Sequence, residues 1–388
     1  MKILMVLDNE FPPDVRVENE AVALLNAGHE VHLACYTRRN APEKQNFKGI
    51  IIHRIPISLF LYKSSVAALT APFYFAFWEK FLEEVIKKYE IEAVHIHDLP
   101  LANVGKRLRK RHGLKLVVDL HENWPALLRV SPYTKTLLGR LLSPGFLWVR
   151  YEKKVLHHAD MIIVVVREAK ERLIKLGING SRIVVVSNTL KLDDFELPDL
   201  QPDPNHFTLY YAGGITYHRG LETAVEAIGQ VRDRIPGIRL LIAGSGKYQQ
   251  RLQEMVDKYN LENHVQFTGH LPLSEVAANL AMADAALIPH LKTAHTDSTI
   301  PHKLFQYMYA NKPVIASDCV PLERIISETK GGIIFRSGAA FDLADKIMKL
   351  YNKEETILPA RKWVKKKYNW DHDARTLVSL YKNMANMP

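Results

Sequence analysis

A short polar stretch near residue 300 contains side chains that could bind a phosphate group. It runs Ser298-Thr-Ile-Pro-His-Lys303 and leads into a helical pattern followed by the apolar run 314–316. Because short hydroxyl side chains are favoured helix caps and proline is tolerated in a first turn, we predict that Ser298 or Thr299 caps this helix. The free amides of that turn, together with Lys303, would favour a bound diphosphate. Gln306, one turn later, would lie on the same face and could reach a ribose.

Further candidate residues lie just after apolar runs that predict buried strands. Gly213 and Gly214 follow one run and allow the backbone to approach a phosphate closely, and Arg219 lies six residues beyond the first glycine. His121 follows the run 116–120. In an open parallel sheet, ligands bind outside the carboxyl ends of the strands, so we expect these residues at binding edges. A simple tight turn at the glycines and a structural role for His121 are the alternatives.

The strands that would position these residues form two series along the chain. Continuous runs of Val, Ile and Leu, which are typical of parallel strands covered on both faces, alternate with helical patterns in each series. Residues 189–205 between them have the Pro- and Asp-rich composition of a linker. The pattern predicts an α/β protein with two Rossmann-like, doubly wound domains, 1–188 and 206–369, facing each other across a cleft. The predicted strands are 3–7, 31–36, 50–55, 93–96, 116–120, 161–166 and 183–186, and then 209–212, 239–243, 265–268, 285–288, 314–316 and 333–335.

The first half of the chain is strongly basic. Residues 1–190 contain 28 Lys and Arg against 19 Asp and Glu, whereas residues 191–388 contain 24 against 23. The clusters at 106–111 and at Arg150, Lys153 and Lys154 are either solvated helix faces or a surface for anionic lipid headgroups. No motif of a nucleic-acid-binding protein accompanies them, so nucleic acid is not an expected partner. An apolar set that would suit a membrane interface lies nearby: Leu137, Leu138, Leu141, Leu142, Phe146, Leu147 and Trp148, interleaved with Lys135 and Arg140.

The sequence indicates a globular protein without a membrane span. The opening run 1–7 is broken at once by Asp8 and Glu10, which argues against a signal segment. The most apolar later stretch, 59–81, is interrupted by charged residues and proline. Cys35 and Cys319 lie at the ends of predicted strands in different halves, so no disulfide is expected. We therefore expect a cytoplasmic protein, with peripheral contact to the inner face of the membrane as an alternative.

Motifs along nearly the whole chain resemble glycosyltransferase family 4, a family of retaining enzymes. Pro301-His-Lys-Leu-Phe-Gln-Tyr-Met308, followed by Lys312-Pro-Val-Ile315, resembles the donor-site helix of the family. Phe11-Pro-Pro-Asp-Val-Arg-Val-Glu18 resembles its acceptor loop. None of these short motifs is specific for the family by itself, but their ordered occurrence along one chain is specific for it. Further landmarks occur in the order of the family: Val94-His-Ile-His-Asp98, Val118-Asp-Leu-His-Glu-Asn-Trp-Pro125, Tyr211-Ala-Gly-Gly214, Ala243-Gly-Ser-Gly246 and Phe267-Thr-Gly269.

The resemblance implies the GT-B fold, with a helix at 370–388 that returns to the first domain. It implies transfer of a sugar from a nucleoside diphosphate donor, a UDP- or GDP-sugar, to a hydroxyl of a glycan or lipid-linked acceptor in polysaccharide or glycoconjugate synthesis. In the front-face mechanism described for the family, the leaving diphosphate helps to deprotonate the acceptor, so catalysis needs cations and amides that stabilise a developing negative charge, and not a carboxylate pair. No cofactor is expected. Matched by position, the catalytic residues are His121, Arg219 and Lys303; the donor-binding residues are Gly213, Gly214, Gly244, Gly246, Gly269, His270, Leu271, Ser298, Thr299, Ile300 and Gln306; and the acceptor-binding residues are Asp14, Arg16, Asp98 and Glu122.

Three positions depart from the family pattern. Its two glutamates, separated by seven residues, fall on Ser298 and Gln306, and one phosphate-binding arginine falls on Gly214. Gln306 can still accept a hydrogen bond from a ribose hydroxyl, although without a charge. Arg219 and Lys303 must then neutralise the diphosphate between them. The missing carboxylates leave two alternatives: a nucleotide-sugar epimerase or phosphorylase-like enzyme of the same architecture, and a catalytically silent protein that binds sugar nucleotides or glycans.

No metal site is expected from the sequence. Asp371-His-Asp373 has the Asp-x-Asp form that holds a metal-nucleotide in another glycosyltransferase fold, but it opens a predicted helix, where acidic residues favour capping. His95 and His97 alternate along a strand, and His157 and His158 are adjacent. Neither spacing is that of a zinc site.

Overall fold

The chain divides into two compact units, each with its own sheet. The structure, a computed structural model, describes residues 1–71, 73–131, 134 and 136–385, apart from the side chains of Leu137, Leu138 and Arg140. Unit 1 is Met1–Ser187 together with the chain from Asp373 onward, and unit 2 is Asn188–His372. Residues 189–205, predicted as a linker, therefore belong to unit 2.

Unit 1 contains an eight-stranded sheet in the order β3-β4-β2-β1-β5-β6-β7-β8. All neighbouring strands are parallel except β3, which pairs antiparallel with β4 at one edge. All seven predicted strands are present, and β3 was missed because its sequence, Lys-Gln-Asn-Phe, has no apolar run. The strands are β1 Lys2–Leu7, β2 Glu30–Thr37, β3 Lys44–Phe47, β4 Ile50–Pro56, β5 Ala93–His97, β6 Lys115–Leu120, β7 Met161–Val164 and β8 Ile183–Val185.

The helices of unit 1 pack closely on this sheet. A Cβ atom at Gly105 would lie 2.8 Å from side-chain atoms of both Ile96 and Leu116, so glycine brings α4 against β5 and β6. The central strand is fully covered, since Ile3 to Val6 have no exposed surface. The helices are α1 Val15–Asn26, α2 Leu59–Ser64, α3 Phe73–Tyr89, α4 Ala102–His112, α5 Trp124–Val130, α6 Leu137–Leu142, α7 Gly145–Leu156 and α8 Arg167–Lys175.

The apolar set predicted to face a membrane is only partly exposed. Leu141 is 72% and Phe146 65% exposed. Trp148 is buried and its indole nitrogen donates to Ser143 Oγ at 2.8 Å, so its inclusion in an exposed surface is wrong. Lys135 and the side chains of Leu137, Leu138 and Arg140 lie outside the described residues.

Unit 2 contains six parallel strands in the order β11-β10-β9-β12-β13-β14. This is the doubly wound order, and the reversal between β9 and β12 is the point where such sheets bind ligands. All six predicted strands are present. The strands are β9 Phe207–Ala212, β10 Ile238–Ala243, β11 Val265–Gly269, β12 Ala285–Ile288, β13 Val314–Ser317 and β14 Gly332–Phe335. The helices are α9 Leu221–Val231, α10 Gln249–Lys258, α11 Leu273–Met282, α12 Lys303–Tyr309, α13 Val320–Thr329, α14 Ala340–Tyr351 and α15 Arg361–Lys366.

The last helix, α16 Trp370–Ala385, begins in unit 2 and continues as part of unit 1. Leu377, Leu380, Tyr381 and Met384 are buried, and the Tyr381 hydroxyl is hydrogen-bonded to His95 Nδ1 at 2.9 Å. Among the described helices, none is both long enough and apolar enough to cross a lipid bilayer.

Candidate active site

The loops after β9, β10 and β11 meet through their backbones, and glycine makes this possible. The Gly213 N–H donates to Ala243 O at 2.8 Å, and the Gly244 N–H donates to Gly269 O at 2.7 Å. A Cβ atom at Gly244 or Gly246 would lie 2.0 Å from a backbone oxygen of the loop after β9. These glycines were predicted to let the backbone approach a phosphate, and that stays a prediction; in the structure, Gly244 and Gly246 let the loops approach each other.

Lys303, the first residue of α12, places its ammonium group over this glycine-lined surface. Its Nζ lies 3.7 Å from the centroid of the Tyr211 ring, and a Cβ atom at Gly213 would come within 2.5 Å of it. Although the residue as a whole is partly exposed, Nζ is enclosed and makes no hydrogen bond to any described residue. Burial, followed by the charge of Arg219, lowers the pKa of Lys303 well below its usual value.

Arg219 is held by a histidine that the sequence analysis passed over. It ends the turn Tyr217–Arg219, and its Nη1 donates to Nε2 of His290 at 3.1 Å. Burial lowers the pKa of His290 well below its usual value, and Arg219 and Lys303 lower it further, so the ring is neutral and accepts this bond. His290 lies just beyond the end of β12. That position after a strand, the same signal that indicated His121, could have identified it.

The site in unit 2 is electropositive, and no carboxylate among the residues that the structure describes pairs with its cations. Burial and then Arg219 lower the pKa of both His218 and His295 to about 4, and no acidic residue opposes these shifts. Within the described part of unit 2, neither Arg219 nor Lys303 makes an ion pair with a carboxylate. The arrangement can therefore attract and neutralise an anion of more than one charge.

The turn that carries Arg219 ends at Gly220, whose left-handed conformation and tight surroundings require glycine. Gly220 has φ +67°, and a Cβ atom there would lie 1.8 Å from Pro289 O. We expect Gly220→Ala to lower the free energy of unfolding by more than the roughly 1–2 kcal/mol that a left-handed conformation costs alone, since the clash adds to it. Denaturant unfolding would measure this. Gly214→Ala is the matched control, because nothing lies within 4 Å of a Cβ atom there; equal stability of the two variants would contradict the prediction.

The segment before α12 differs from expectation. Ser298 Oγ donates to Ala294 O at 2.8 Å and Thr299 Oγ1 to His295 O at 3.3 Å, so both hydroxyls are used in the preceding turn. The predicted helix cap by Ser298 or Thr299 is wrong, because α12 begins only at Lys303 and has no side-chain cap. As α12 has only seven residues, the cations must contribute most of any anion affinity.

The other predicted donor-binding residues lie on the elements that the sequence indicated. Gln306 is half-buried on α12, and Ile300 is buried just before it. His270 is exposed and Leu271 half-buried in the loop between β11 and α11. Gly214 and Gly269 have open space where a side chain would be.

In unit 1, β5 and β6 end in a buried cluster of carboxylates and imidazoles. Asp119 accepts from Arg16 Nη2 at 3.0 Å and lies 2.8 Å from Nε2 of His121. The backbone N–H of His121 donates to Asp98 at 3.3 Å, and its Nδ1 lies 3.8 Å from the same carboxylate. Asp98 has φ +65°, a conformation rare outside glycine that tends to occur at functional sites. The imidazole of His121 is thus fixed from both sides.

The charges of this cluster favour an imidazolium at His121. Burial disfavours the charged ring, but Asp119 and then Asp98 outweigh it and raise the pKa of His121 to about 9. The pKa of Asp119 is held well below its usual value because Arg16 and His121 outweigh the effect of burial. At neutral pH both ring nitrogens of His121 therefore carry a proton, and they face the carboxylates of Asp119 and Asp98.

A further carboxylate at this edge was not recognised from the sequence. Asp8 follows β1, the strand beside β5, and accepts a hydrogen bond from the Tyr74 hydroxyl. Burial raises the pKa of Asp8 to about 6, against the opposing effect of Tyr74. Its position directly after a strand matches that of Asp98 and was the available signal. Glu122, a predicted acceptor residue, is half-buried in the loop after β6.

Asp14 and Arg16 were expected in the loop after β1, and that placement is wrong for Arg16. Asp14 is the N-cap of α1 and accepts from the Val17 N–H at 3.1 Å. Arg16 lies inside α1 and is buried, with its guanidinium 3.0 Å from Glu20 and 3.0 Å from Asp119. Arg16 therefore orients Asp119. Because Arg16 is buried, direct contact between Arg16 and a substrate is not supported.

Four buried side chains of unit 1 could in principle ligate a metal ion. Glu20, His95, His97 and Asp119 each offer a ligand atom, and these atoms lie within 4.8 Å of one another. The Arg16 guanidinium already contacts both carboxylates. Its positive charge would repel a cation placed there. The expected absence of a metal stays a prediction.

The two parallel-sheet α/β units match solved structures of the GT-B fold, and the sequence prediction of that fold is confirmed. The family model described as Glycosyltransferase Family 4 matches residues 14–194, and the one described as Glycosyl transferases group 1 matches residues 193–370. The chain belongs to glycosyltransferase family 4.

Individual relatives agree with this assignment. The putative glycosyltransferase EpsD of Bacillus subtilis is 24% identical, covering 84% of this chain and 81% of its own. The uncharacterized glycosyltransferase MJ1607 of Methanocaldococcus jannaschii is 24% identical, and the match covers 100% of this chain and 99% of that protein. Among solved structures, sucrose-phosphate synthase from Thermosynechococcus elongatus has a TM-score of 0.80 at 19% identity and covers 99% of both chains. HepE of Anabaena in complex with UDP has a TM-score of 0.70 at 13% identity and covers 100% of both. At these identities the structural likeness shows the fold.

Proposed function

We propose that this protein is a retaining, metal-independent glycosyltransferase that moves a sugar from a nucleoside diphosphate donor to a hydroxyl acceptor. The observation that carries the proposal is the pair of cations in unit 2. Lys303 has an enclosed ammonium group without a hydrogen bond, Arg219 is near enough to depress its pKa, and the described residues place no carboxylate against either group. A diphosphate would supply the missing negative charge.

The same pair would stabilise the reaction. As the bond from the sugar to the diphosphate breaks, negative charge develops on the leaving group, and fixed cations stabilise that charge without reorganisation. The leaving diphosphate oxygen can then take the proton of the incoming hydroxyl, so that the new bond forms on the face from which the old one leaves. His121, an imidazolium whose ring nitrogens face Asp119 and Asp98, is proposed to contribute its positive charge to the reaction. Asp98 and Glu122 would orient the acceptor hydroxyl.

The donor is proposed to be a UDP- or GDP-sugar. Support for uridine comes from HepE of Anabaena, which has been solved with UDP and with UDP-glucose. Gln306 would accept from the ribose through its amide oxygen, and Ser298 would lie near the sugar without a charge. The acceptor is proposed to be a glycan or lipid-linked sugar of glycoconjugate synthesis, a setting named for the relative WcaL, a putative colanic acid biosynthesis glycosyltransferase of Escherichia coli.

Nucleotide binding provides the first test of this proposal. We expect UDP or GDP, but not CDP or ADP to the same extent, to raise the melting temperature, because a ligand that binds only the folded state stabilises it in proportion to its affinity. Thermal unfolding with each nucleotide at equal concentration would measure this. Arg219→Ala is expected to remove the shift. If no nucleotide raises the melting temperature of the wild-type protein, the donor site is misassigned.

The absence of both family glutamates supports one alternative, a silent binding protein. Such a protein would show the nucleotide-induced shift without donor turnover, and Gln306→Glu would tighten binding without producing transfer. An epimerase would consume the donor with no acceptor present. Transfer to an added acceptor by the wild-type chain would exclude both.

Peripheral membrane contact is proposed for unit 1. Leu59, Phe60 and Phe73 are exposed in addition to Leu141 and Phe146, and the rings of Phe60 and Phe73 stack at 6.0 Å. Thr70 Oγ1 donates to the Leu142 carbonyl at 3.0 Å, which ties the segment after α2 to α6. Exposed apolar side chains on a basic unit suit an anionic bilayer surface, where a lipid-linked acceptor would be found.

A further inference from the structure

A second concentration of positive charge surrounds a cavity in unit 1, within the basic clusters at 106–111 and 153–154 and outside the residues proposed for catalysis, donor binding or acceptor binding. The cavity has a volume of about 290 Å³ and lies between α4 and α7. No acidic residue lines it. The lining residues are Asn103, Lys106 and Arg107 of α4 and Tyr151, Lys154 and Val155 of α7.

The two lysines come from different helices and are unneutralised. Neither Lys106 nor Lys154 forms an ion pair or hydrogen bond with any residue that the structure describes. Nη1 of Arg107 forms an ion pair with Glu79 at 3.0 Å, so the other N–H groups of Arg107 are available to a ligand. Three cations thus converge on one cavity while a single carboxylate, outside the lining, contacts one of them.

These cations repel one another. Burial lowers the pKa of Lys106, and the charges of Lys154, Lys110 and Arg107 lower it further. His158 is affected in the same way, since burial, Lys106, Arg109, His157 and Lys154 all lower its pKa. No carboxylate opposes either shift. An anion in the cavity would relieve this repulsion.

Contacts of Tyr151 join the two helices that line the cavity. The Tyr151 hydroxyl accepts from the Asn103 N–H at 2.9 Å and donates to Pro100 O at 2.7 Å, which fixes α7 against the start of α4. The Tyr151 ring stacks on Phe75 with centroids 6.2 Å apart and meets Trp148 edge-on at 5.4 Å. The lysine ammonium groups can then close on a ligand without rearrangement of the helices.

We propose that this cavity binds a phosphate-bearing anion. A tetrahedral phosphate offers several acceptor oxygens to lysines approaching from two sides, and a guanidinium adds a planar donor pair. The site lies wholly within unit 1 and does not depend on the proposed transferase activity. Both a free phosphate compound and a phospholipid headgroup have this chemistry.

Paired lysine variants test the proposal. We expect Lys106→Gln/Lys154→Gln to weaken the binding of inorganic phosphate at least about tenfold, because two charge-assisted contacts are lost. Lys110→Gln/Lys153→Gln is the matched control, since it removes two charges from the same two helices but none from the cavity lining. Calorimetric titration with phosphate, at ionic strength held constant with chloride, gives the affinities. A Lys303→Met/Arg219→Ala background in all proteins removes the contribution of the two cations in unit 2.

Vesicle sedimentation distinguishes the two sources of phosphate. If binding to phosphatidylglycerol vesicles, relative to phosphatidylcholine vesicles, falls in the cavity variant and not in the control, the natural ligand is a lipid headgroup. If only phosphate affinity falls, the ligand is a free phosphate compound. Equal behaviour of the two double variants with both probes would overturn the proposal, and normal thermal unfolding of both shows that the comparison is between folded proteins.

Discussion

Replacing Lys303 with methionine is expected to abolish sugar transfer while making the unliganded protein more stable. The enclosed ammonium group lacks a hydrogen bond, and burying an unpaired charge is costly. The cation–π contact of the ammonium group with the Tyr211 ring stabilises the fold by up to roughly 2 kcal/mol, which does not offset that cost. Methionine keeps the apolar stem and removes the charge. Loss of one positive group at a developing anion lowers kcat by about 10²–10³-fold in comparable sites.

Two measurements on one set of variants check this expectation. Transfer from UDP- and GDP-sugars gives kcat/KM, and thermal unfolding without nucleotide gives the stability. Lys362→Met, at an exposed position on α15, is the control that should change neither. A Lys303→Met protein that transfers sugar at the wild-type rate would remove the lysine from the mechanism. One that melts below the wild type would show that the ammonium group is satisfied by a contact within the fold.

Transfer is also expected to fall as the pH rises through about 9, and to fall at a lower pH in Asp119→Asn. Asp119 is the principal group that raises the pKa of His121 to about 9. Without its charge the ring loses its proton nearer to the ordinary value of 6.5, so the cation is absent earlier. His121→Ala should abolish transfer at every pH. An alkaline limb at the same pH in Asp119→Asn and the wild type would contradict this role for Asp119.

The free energy of unfolding is also expected to depend on pH through the protonation of His121. Because the folded-state pKa of His121 lies above its ordinary value, the imidazolium contributes fully to the free energy of unfolding below pH 6.5. That contribution is lost as the pH rises through about 9. His121→Gln should therefore lose less stability between pH 6 and pH 9.5 than the wild type does. Denaturant unfolding at these two values measures the difference, and His270→Gln, at an exposed position, is the control.

The strands were predictable because burial on both faces leaves a continuous apolar run in the sequence. β3 was not, since an edge strand of exposed polar residues has no such run. The predicted start of α12 was wrong because a hydroxyl side chain has more than one way to satisfy the backbone. A hydroxyl beside a proline indicates a cap, but the same hydroxyl satisfies a carbonyl of a preceding turn equally well, and Ser298 does so.

Positions in the site were predictable, whereas their partners were not. His121 and Asp98 were indicated because each follows a strand, and parallel pairing of β5 with β6 brings them to one edge. The partner that holds Arg219 lies 71 residues away, and the one that holds Arg16 lies 103 residues away. Local spacing does not encode such contacts. They depend on the order of strands in the sheet, which the sequence pattern left undetermined.

The discontinuity of unit 1 has a consequence for how the chain is made. Residues 188–372 are synthesised between its two segments, so the whole of unit 2 emerges from the ribosome before the part of α16 that belongs to unit 1. Until then His95 lacks its Tyr381 partner, and the apolar surface that Leu377, Leu380 and Met384 contact stays uncovered. Unit 2, being continuous, can complete its fold first. His95, and with it the neighbouring carboxylate of Asp119, would be covered by α16 only after this last helix has been made.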